Sequence, residues 1–296
     1  MRRVLITAWL AIAWAFPQNP EAGRIEVSGR EATLTVEAPR PVDSAAMTLA
    51  ERYGIAVSVE DPVYRHPDTV RDVTAEVVRT PSPGLRVLVP RGGRLQIRFP
   101  VNDDGTPQNV QQLLQSIAGA ANAQSPVGWR LDATPGWLTL IPTQTANADG
   151  QTVSAPALLD HKVTIPAGTR SVAEHAMILA EALSEQTGFR VSCCQGTLAG
   201  YPWGLAVIAF EAHDELARNV LRRLVAATPG DYHYLQRCDP VTSGKEAWCF
   251  INLRMLYRPL SPSVREQSPV PGQRNPFFSR PGDSPAEQPP VGPYPQ

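Results

Sequence analysis

The sequence predicts an α+β protein of two repeated small domains, each with two helices packed on a short mixed β-sheet. Three observations predict it. A segment recurs: Leu49–Val59 (LAERYGIAVSV) and Leu183–Cys193 (LSEQTGFRVSC) agree at five of eleven positions, at an offset of 134. Each copy ends a helical apolar stripe with a glycine and runs into a short strand. Helical periods then alternate with two-residue periods and hairpin signals, the pattern of helices lying on a small sheet.

In the first domain, set at residues 24–142, Ala32–Ala38 reads as the leading strand. Val42, Ala46, Leu49 and Tyr53 form one helical face, and Gly54 fits the left-handed position beyond a helix end. A strand follows at Ile55–Val59. An insert near residues 60–94 contains one further strand, Leu85–Val89. Leu95–Val101 alternates as a half-buried strand. Asp103-Asp104-Gly105 reads as the turn before a helix carrying Val110, Leu114 and Ile117. A hairpin, Val127–Ala133 and Trp137–Ile141 around Pro135-Gly136, closes the domain. The small polar stretch 143–156 reads as a linker.

The second domain, 157–257, repeats the order. His161–Ile165 leads. Ser171 and Glu174 form a capping-box pattern, and Val172, Ala176, Leu179 and Leu183 form the stripe, with His175 off it and read as solvated. Gly188 ends the helix and Phe189–Cys193 is the strand. Leu205–Phe210 is apolar on both faces and reads as a central strand. His213 and Asp214 sit where a helix with Leu216, Val220 and Leu224 should begin. The closing hairpin joins Asp231–Cys238 to Ala247–Leu253 through Ser243-Gly244, with Trp248 equivalent to Trp137.

Of 296 residues, 43% are hydrophobic and 19% charged, so a disordered chain is excluded. A net charge of −1 speaks against nucleic acid as the partner. Arg2 and Arg3, the uncharged run Val4–Phe16 and Ala13-Trp14-Ala15 match a signal peptide over residues 1–15. That places the protein in the periplasm or outside the cell. No later run is long enough for a transmembrane helix. Residues 258–296 hold 11 prolines in 39 positions and read as a disordered tail. Cys238 and Cys249 flank the hairpin loop opposite one another, so an oxidising compartment should join them. Cys193 and Cys194 are left to pair with each other or stay free.

The second domain resembles the secretin and TonB N-terminus short domain. The features that carry this are Glu185-Gln186-Thr187-Gly188 with Phe189-Arg-Val-Ser192, the strand ending at Phe210, the helix with Leu216, Val220, Leu221 and Leu224, and the hairpin Tyr232–Leu235 to Cys249–Leu253. Residues 32–143 follow the pattern more loosely. The resemblance implies docking to other envelope proteins. A pore is not implied, because a Pro-rich segment takes the place of the family's usual barrel, plug or ring.

No nucleophile elbow, phosphate loop, zinc-protease helix or dinucleotide fingerprint occurs. The chain therefore reads as non-catalytic, with no cofactor and no metal site. The function expected is protein–protein interaction in an envelope signalling, secretion or transport assembly. Two alternatives stand beside it. One is a secreted enzyme or enzyme inhibitor with its site in the insert; the other is a glycan- or lipid-binding module. Arg218 and Arg222 lie at i, i+4 on one helix. They read as a solvated face or as the surface that meets an acidic partner.

Overall fold

In the computed structural model of the protein, the described residues are 23–80, 85–193, 206–228, 230–241 and 247–256. The expected signal peptide and tail, Cys194 and the loop through Ser243-Gly244 lie outside them.

The chain opens with β1 (Arg24–Ser28), β2 (Glu31–Ala38), α1 (Pro41–Tyr53) and β3 (Ser58–Glu60). The insert supplies β4 (Val70–Asp72), α2 (Thr74–Val77) and β5 (Leu88–Pro90). Next come β6 (Gly93–Pro100), α3 (Val110–Asn122), β7 (Gly128–Thr134), β8 (Trp137–Ala146) and β9 (Thr152–Ser154). The second half contains β10 (Lys162–Ser171), α4 (Val172–Thr187), β11 (Arg190–Cys193), β12 (Val207–Leu216), α5 (Ala217–Ala226), β13 (Tyr232–Cys238) and β14 (Trp248–Met255). The architecture is α+β.

Local chemistry sets the helix ends. Ser171 and Glu174 form the reciprocal capping box that opens α4. Asn109 accepts the Gln112 N–H at 2.9 Å to open α3. Gly54 and Gly188 take φ of 66° and 67° just past α1 and α4, where a side chain would clash with the backbone.

Each half divides its strands between two main sheets, not the single mixed sheet expected, and the insert adds the separate antiparallel pair β4–β5. On one side β2 pairs antiparallel with β6, as β10 does with β12; β1 extends the first pair. On the other, β3 runs parallel to β8, which pairs antiparallel with β7. In the second half β11 runs parallel to β14, which pairs antiparallel with β13. α1 and α3, and likewise α4 and α5, touch both main sheets of their half. A helix so placed buries a wide arc, which is why His175 is fully buried against Phe210 and not solvated as expected.

The two larger sheets join. β13 lies parallel to β3, with Leu235 opposite Val59 and Gln236 opposite Glu60. The strand order is β11-β14-β13-β3-β8-β7, and β9 pairs with β8. Alternation along β13 sends Leu235 into the core with Val59, Leu140, α1 and α3. It sends Tyr232, Tyr234 and Cys238 into the core with α4 and α5. The two helix pairs therefore cover opposite faces of one sheet, and all described residues belong to one compact unit.

Three further expectations are corrected. The stretch 143–156 is not a free linker: it completes β8 and forms β9, joined by a turn in which Asn147 Oδ1 accepts the Gln151 N–H. β12 is not central but one of two strands. Phe210 and Ala212 face the core while Val207 is 66% exposed. It also runs on to Leu216, so the helix begins at Ala217 and His213 is an exposed strand residue.

Candidate functional site

The junction of β3 with β13 gathers most of the buried charge. β3 is three residues long, and alternation turns Ser58 and Glu60 towards the second half. Ser58 Oγ accepts the Tyr234 N–H at 3.2 Å. The Glu60 carboxylate, 0% exposed, accepts from Arg218 Nε at 2.6 Å, from Arg218 Nη2 at 2.8 Å and from the Tyr234 hydroxyl at 2.9 Å. Asp160 accepts from the third guanidinium nitrogen of Arg218 at 2.6 Å. One turn along α5, Arg222 Nη2 donates to Asp132 and to Thr139 Oγ1, each at 2.8 Å, and its guanidinium lies over the Trp137 ring.

These contacts correct the reading of Arg218 and Arg222 as a solvated, partner-binding face. The two residues are only 5% and 8% exposed. Their charge is answered inside the molecule by carboxylates of β3, β7 and the segment before β10. Burial opposes the charge on Arg218, but the hydrogen bonds and charge of Glu60, aided by Asp160, outweigh it and raise its pKa. Burial, and then the negative charge of Glu60, hold the Tyr234 phenol well above its ordinary value.

On the other face of the sheet a second set of ion pairs ties α1 to β13. Arg237 Nε donates to Asp43 Oδ2 at 2.7 Å. Arg40 Nε donates to Asp61 Oδ2 at 2.5 Å, and Arg40 Nη2 donates to the Cys238 carbonyl at 2.8 Å. Tyr64 donates to Asp61 Oδ1 at 3.1 Å. Burial pushes the Asp61 carboxyl up, and Arg40 offsets part of that. Beside it, Cys238 and Cys249 form the expected disulfide. Cys238 is thus occupied, and among the described residues no cluster of metal-ligating side chains occurs.

Two cavities flank this seam, both lined by Asp61. The smaller, about 110 Å³, lies between the start of α1, the insert and the loop from α3 to β7. The larger, about 390 Å³, is lined by Pro62, Val63, Arg65, the β8–β9 segment and Phe189. Here Arg65 sits over the Phe189 ring, and His161 Nδ1 lies 3.1 Å from the Leu158 carbonyl.

The seam was not foreseen from the sequence. Glu60, Asp61, Asp43, Asp132 and Tyr234 carry no motif. The available signals were adjacent carboxylates, Glu60-Asp61, ending an apolar strand, and two arginines inside the apolar arc of α5. No family model, curated protein or solved structure matches the chain. Among the described residues no helix is long and apolar enough to cross a membrane.

Proposed function

We propose that the chain is an exported, non-catalytic protein–protein interaction module of an envelope signalling, secretion or transport assembly. In this reading it holds two copies of a unit resembling the secretin and TonB N-terminus short domain. One observation carries it: the halves use the same pairing scheme in the same register. Ser58 and Ser192 occupy equivalent places in the recurring segment, as do Trp137 and Trp248 in the hairpins. Ser58 pairs with Thr139, two residues past Trp137. Ser192 pairs with Phe250, two residues past Trp248.

The binding mode that fits such a unit is strand addition at an open sheet edge. The edge of β13 is filled by β3. β7 ends the strand order and offers its outer edge. Arg130, Asp132 and Thr134 face Ile141, Thr139 and Trp137 of β8. Trp129 turns its N–H and carbonyl outward, where the Asn122 side chain bonds both, at 2.6 and 3.0 Å. The same alternation leaves the main-chain groups of Leu131 and Ala133 for an incoming strand.

Site-specific photocrosslinking tests this. A photoreactive residue at exposed Arg130 should capture a defined envelope protein in exporting cells. Ala133→Pro removes an outward N–H without touching the β7–β8 ladder, and should abolish the adduct while the protein stays folded. An adduct that survives Ala133→Pro, or none in the parent chain, would reject the reading.

A further inference from the structure

The strand order β11-β14-β13-β3-β8-β7 consists of two runs joined where β13 meets β3. The joint is heterologous: the outer edge of a hairpin strand in one half receives the outer edge of a short parallel strand in the other. One edge of each kind is left over, β7 at one end of the order and β11 at the other. A joint of this kind passes from copy to copy unless something stops it.

A side chain lies on each leftover edge. On β7, Asn122 reaches from the last residue of α3. It accepts the Trp129 N–H at 2.6 Å and donates to the Trp129 carbonyl at 3.0 Å, as a neighbouring strand does. Trp129 holds the place that Tyr234 holds in the other hairpin. Trp129 pairs with Pro142, five residues past Trp137, and Tyr234 pairs with Leu253, five past Trp248. Tyr234 is the residue whose N–H Ser58 of β3 takes at the joint. Arg130, the next residue, holds the place of Leu235, which is 1% exposed in the core of the first half. An exposed charge thus stands where the joint has a buried apolar side chain.

On β11 the matching contact comes from α4. The Arg190 N–H donates to Ala247, so Val191 turns its main chain the other way, outward. Ser184 Oγ accepts the Val191 N–H at 2.9 Å, and its hydroxyl lies between the carbonyls of Ala180 and Val191, at 2.8 and 3.3 Å. In the recurring segment Ser184 answers to Ala50, beside the edge that is joined. Alanine has no hydroxyl to reach back.

We infer that Asn122, Arg130 and Ser184 guard this chain against self-assembly: they keep β11 of a second copy from docking on β7 as β3 docks on β13. The inference rests on the equivalence of the halves proposed above, and on no envelope partner. The guard on β7 stands at Trp129 and Arg130. Leu131 and Ala133 stay open to a strand that pairs further along, so a foreign strand is admitted where a copy is refused.

Sedimentation of the purified full chain tests this with no partner present. The parent should remain a single chain at every concentration. The triple variant Asn122→Ala, Arg130→Leu, Ser184→Ala should associate as concentration rises. Its mean mass should pass about twice that of one chain, because an open heterologous contact continues beyond the dimer. Arg130→Leu and Ser184→Ala install the residues that the joined edges carry. Asn122 is exposed, so water replaces its bonds to Trp129. If the triple variant does not fold, Asn122→Asp replaces Asn122→Ala: a carboxylate keeps the Trp129 N–H and cannot donate to the carbonyl. A photoreactive leucine analogue in place of Arg130, combined with Asn122→Ala, should capture β11 of a neighbouring copy. The same analogue with Asn122 and Ser184 intact should capture no copy. A folded variant that stays a single chain, adducts outside β11, or a β11 adduct with Asn122 and Ser184 intact would overturn the inference. Absence of an envelope adduct at β7 rejects the function proposed above and leaves this result untouched.

Discussion

At the residue scale, the arginines of α5 show what a one-dimensional reading misses. Arg218 and Arg222 have the spacing of a solvated helix face, but the carboxylate that receives Arg218 lies 158 residues earlier. No local pattern records so distant a partner. His233 presents a second case. It is 4% exposed, with Arg254 opposite on β14. Burial first, and then the charge of Arg254, lower its pKa from 6.5 to about 4. A histidine with a lowered folded pKa is neutral in the fold and charged when unfolded at the same pH. Its contribution is present above pH ~6.5 and is lost as pH falls towards about 4, a change on the order of 3 kcal/mol. Asp61, whose pKa burial raises, acts in the opposite direction. The contribution of His233 is therefore read as a difference. Urea unfolding of the parent chain and of His233→Gln should converge as the pH drops from 7.5 to 4.5, the variant being less acid-sensitive. Parallel curves would show that the ring is not buried as described.

Elements were legible where their cause is local. Apolar stripes at helical spacing, one capping box, two end glycines and period-two alternation placed α1, α3, α4, β2, β6 and the hairpin β7–β8 within a few residues. β12 and the start of α5 were displaced because Glu211–Leu216 (EAHDEL) has the polar pattern of a helix start. Pairing to β10 holds it extended instead, with Glu215 opposite Val163 and Leu216 opposite Lys162. β1 went unread because its only pairing is with β2, and four of its five residues are exposed. The hairpin β13–β14 was legible together with its covalent bond, since cross-strand neighbours follow from the turn. The disulfide spans 11 residues, and a loop of that length implies stabilisation of about 2–3 kcal/mol. The double variant Cys238→Ala, Cys249→Ala should unfold at correspondingly lower urea. It should also loosen Arg40, which holds the Cys238 carbonyl. Calorimetry showing an unchanged midpoint would mean that the bond constrains nothing beyond what the strands already fix.

At the scale of the molecule, a recurring segment was legible in the sequence, but the strand pairing that joins the two halves was not. A junction of two paired residues on a three-residue strand leaves almost no trace in a sequence. Its energy lies in buried ion pairs, which add little net stability over apolar packing but are costly to break singly, about 3–5 kcal/mol. The turn of residues 147–151 joins β8 to β9 and is largely exposed, so a protease should cut there first. The two pieces of the nicked chain should nevertheless migrate as one body in native electrophoresis and separate only in denaturant. Glu60→Gln leaves Arg218 without its main counter-charge, and the nicked variant should fall apart without denaturant. Pieces of the unmodified chain that separate at once on cutting would mean that the seam does not hold the halves.

Synthesis runs from one end of the chain to the other, and the shared strand gives that direction a consequence. Tyr234 binds Ser58 across 176 residues of chain. The strand that pairs with β3 within its own half, β8, is finished long before β13 exists. During that interval the outer edge of β3 is an unpaired template beside an unanswered carboxylate, open to any extended segment that passes. Closing it is the strand pairing of longest range among the described residues, and long-range pairings carry the largest loop-closure cost. A newly made chain thus spends its most vulnerable moments half-built, and the short length of β3, with Glu60 at its end, keeps that open edge a poor target for the wrong strand.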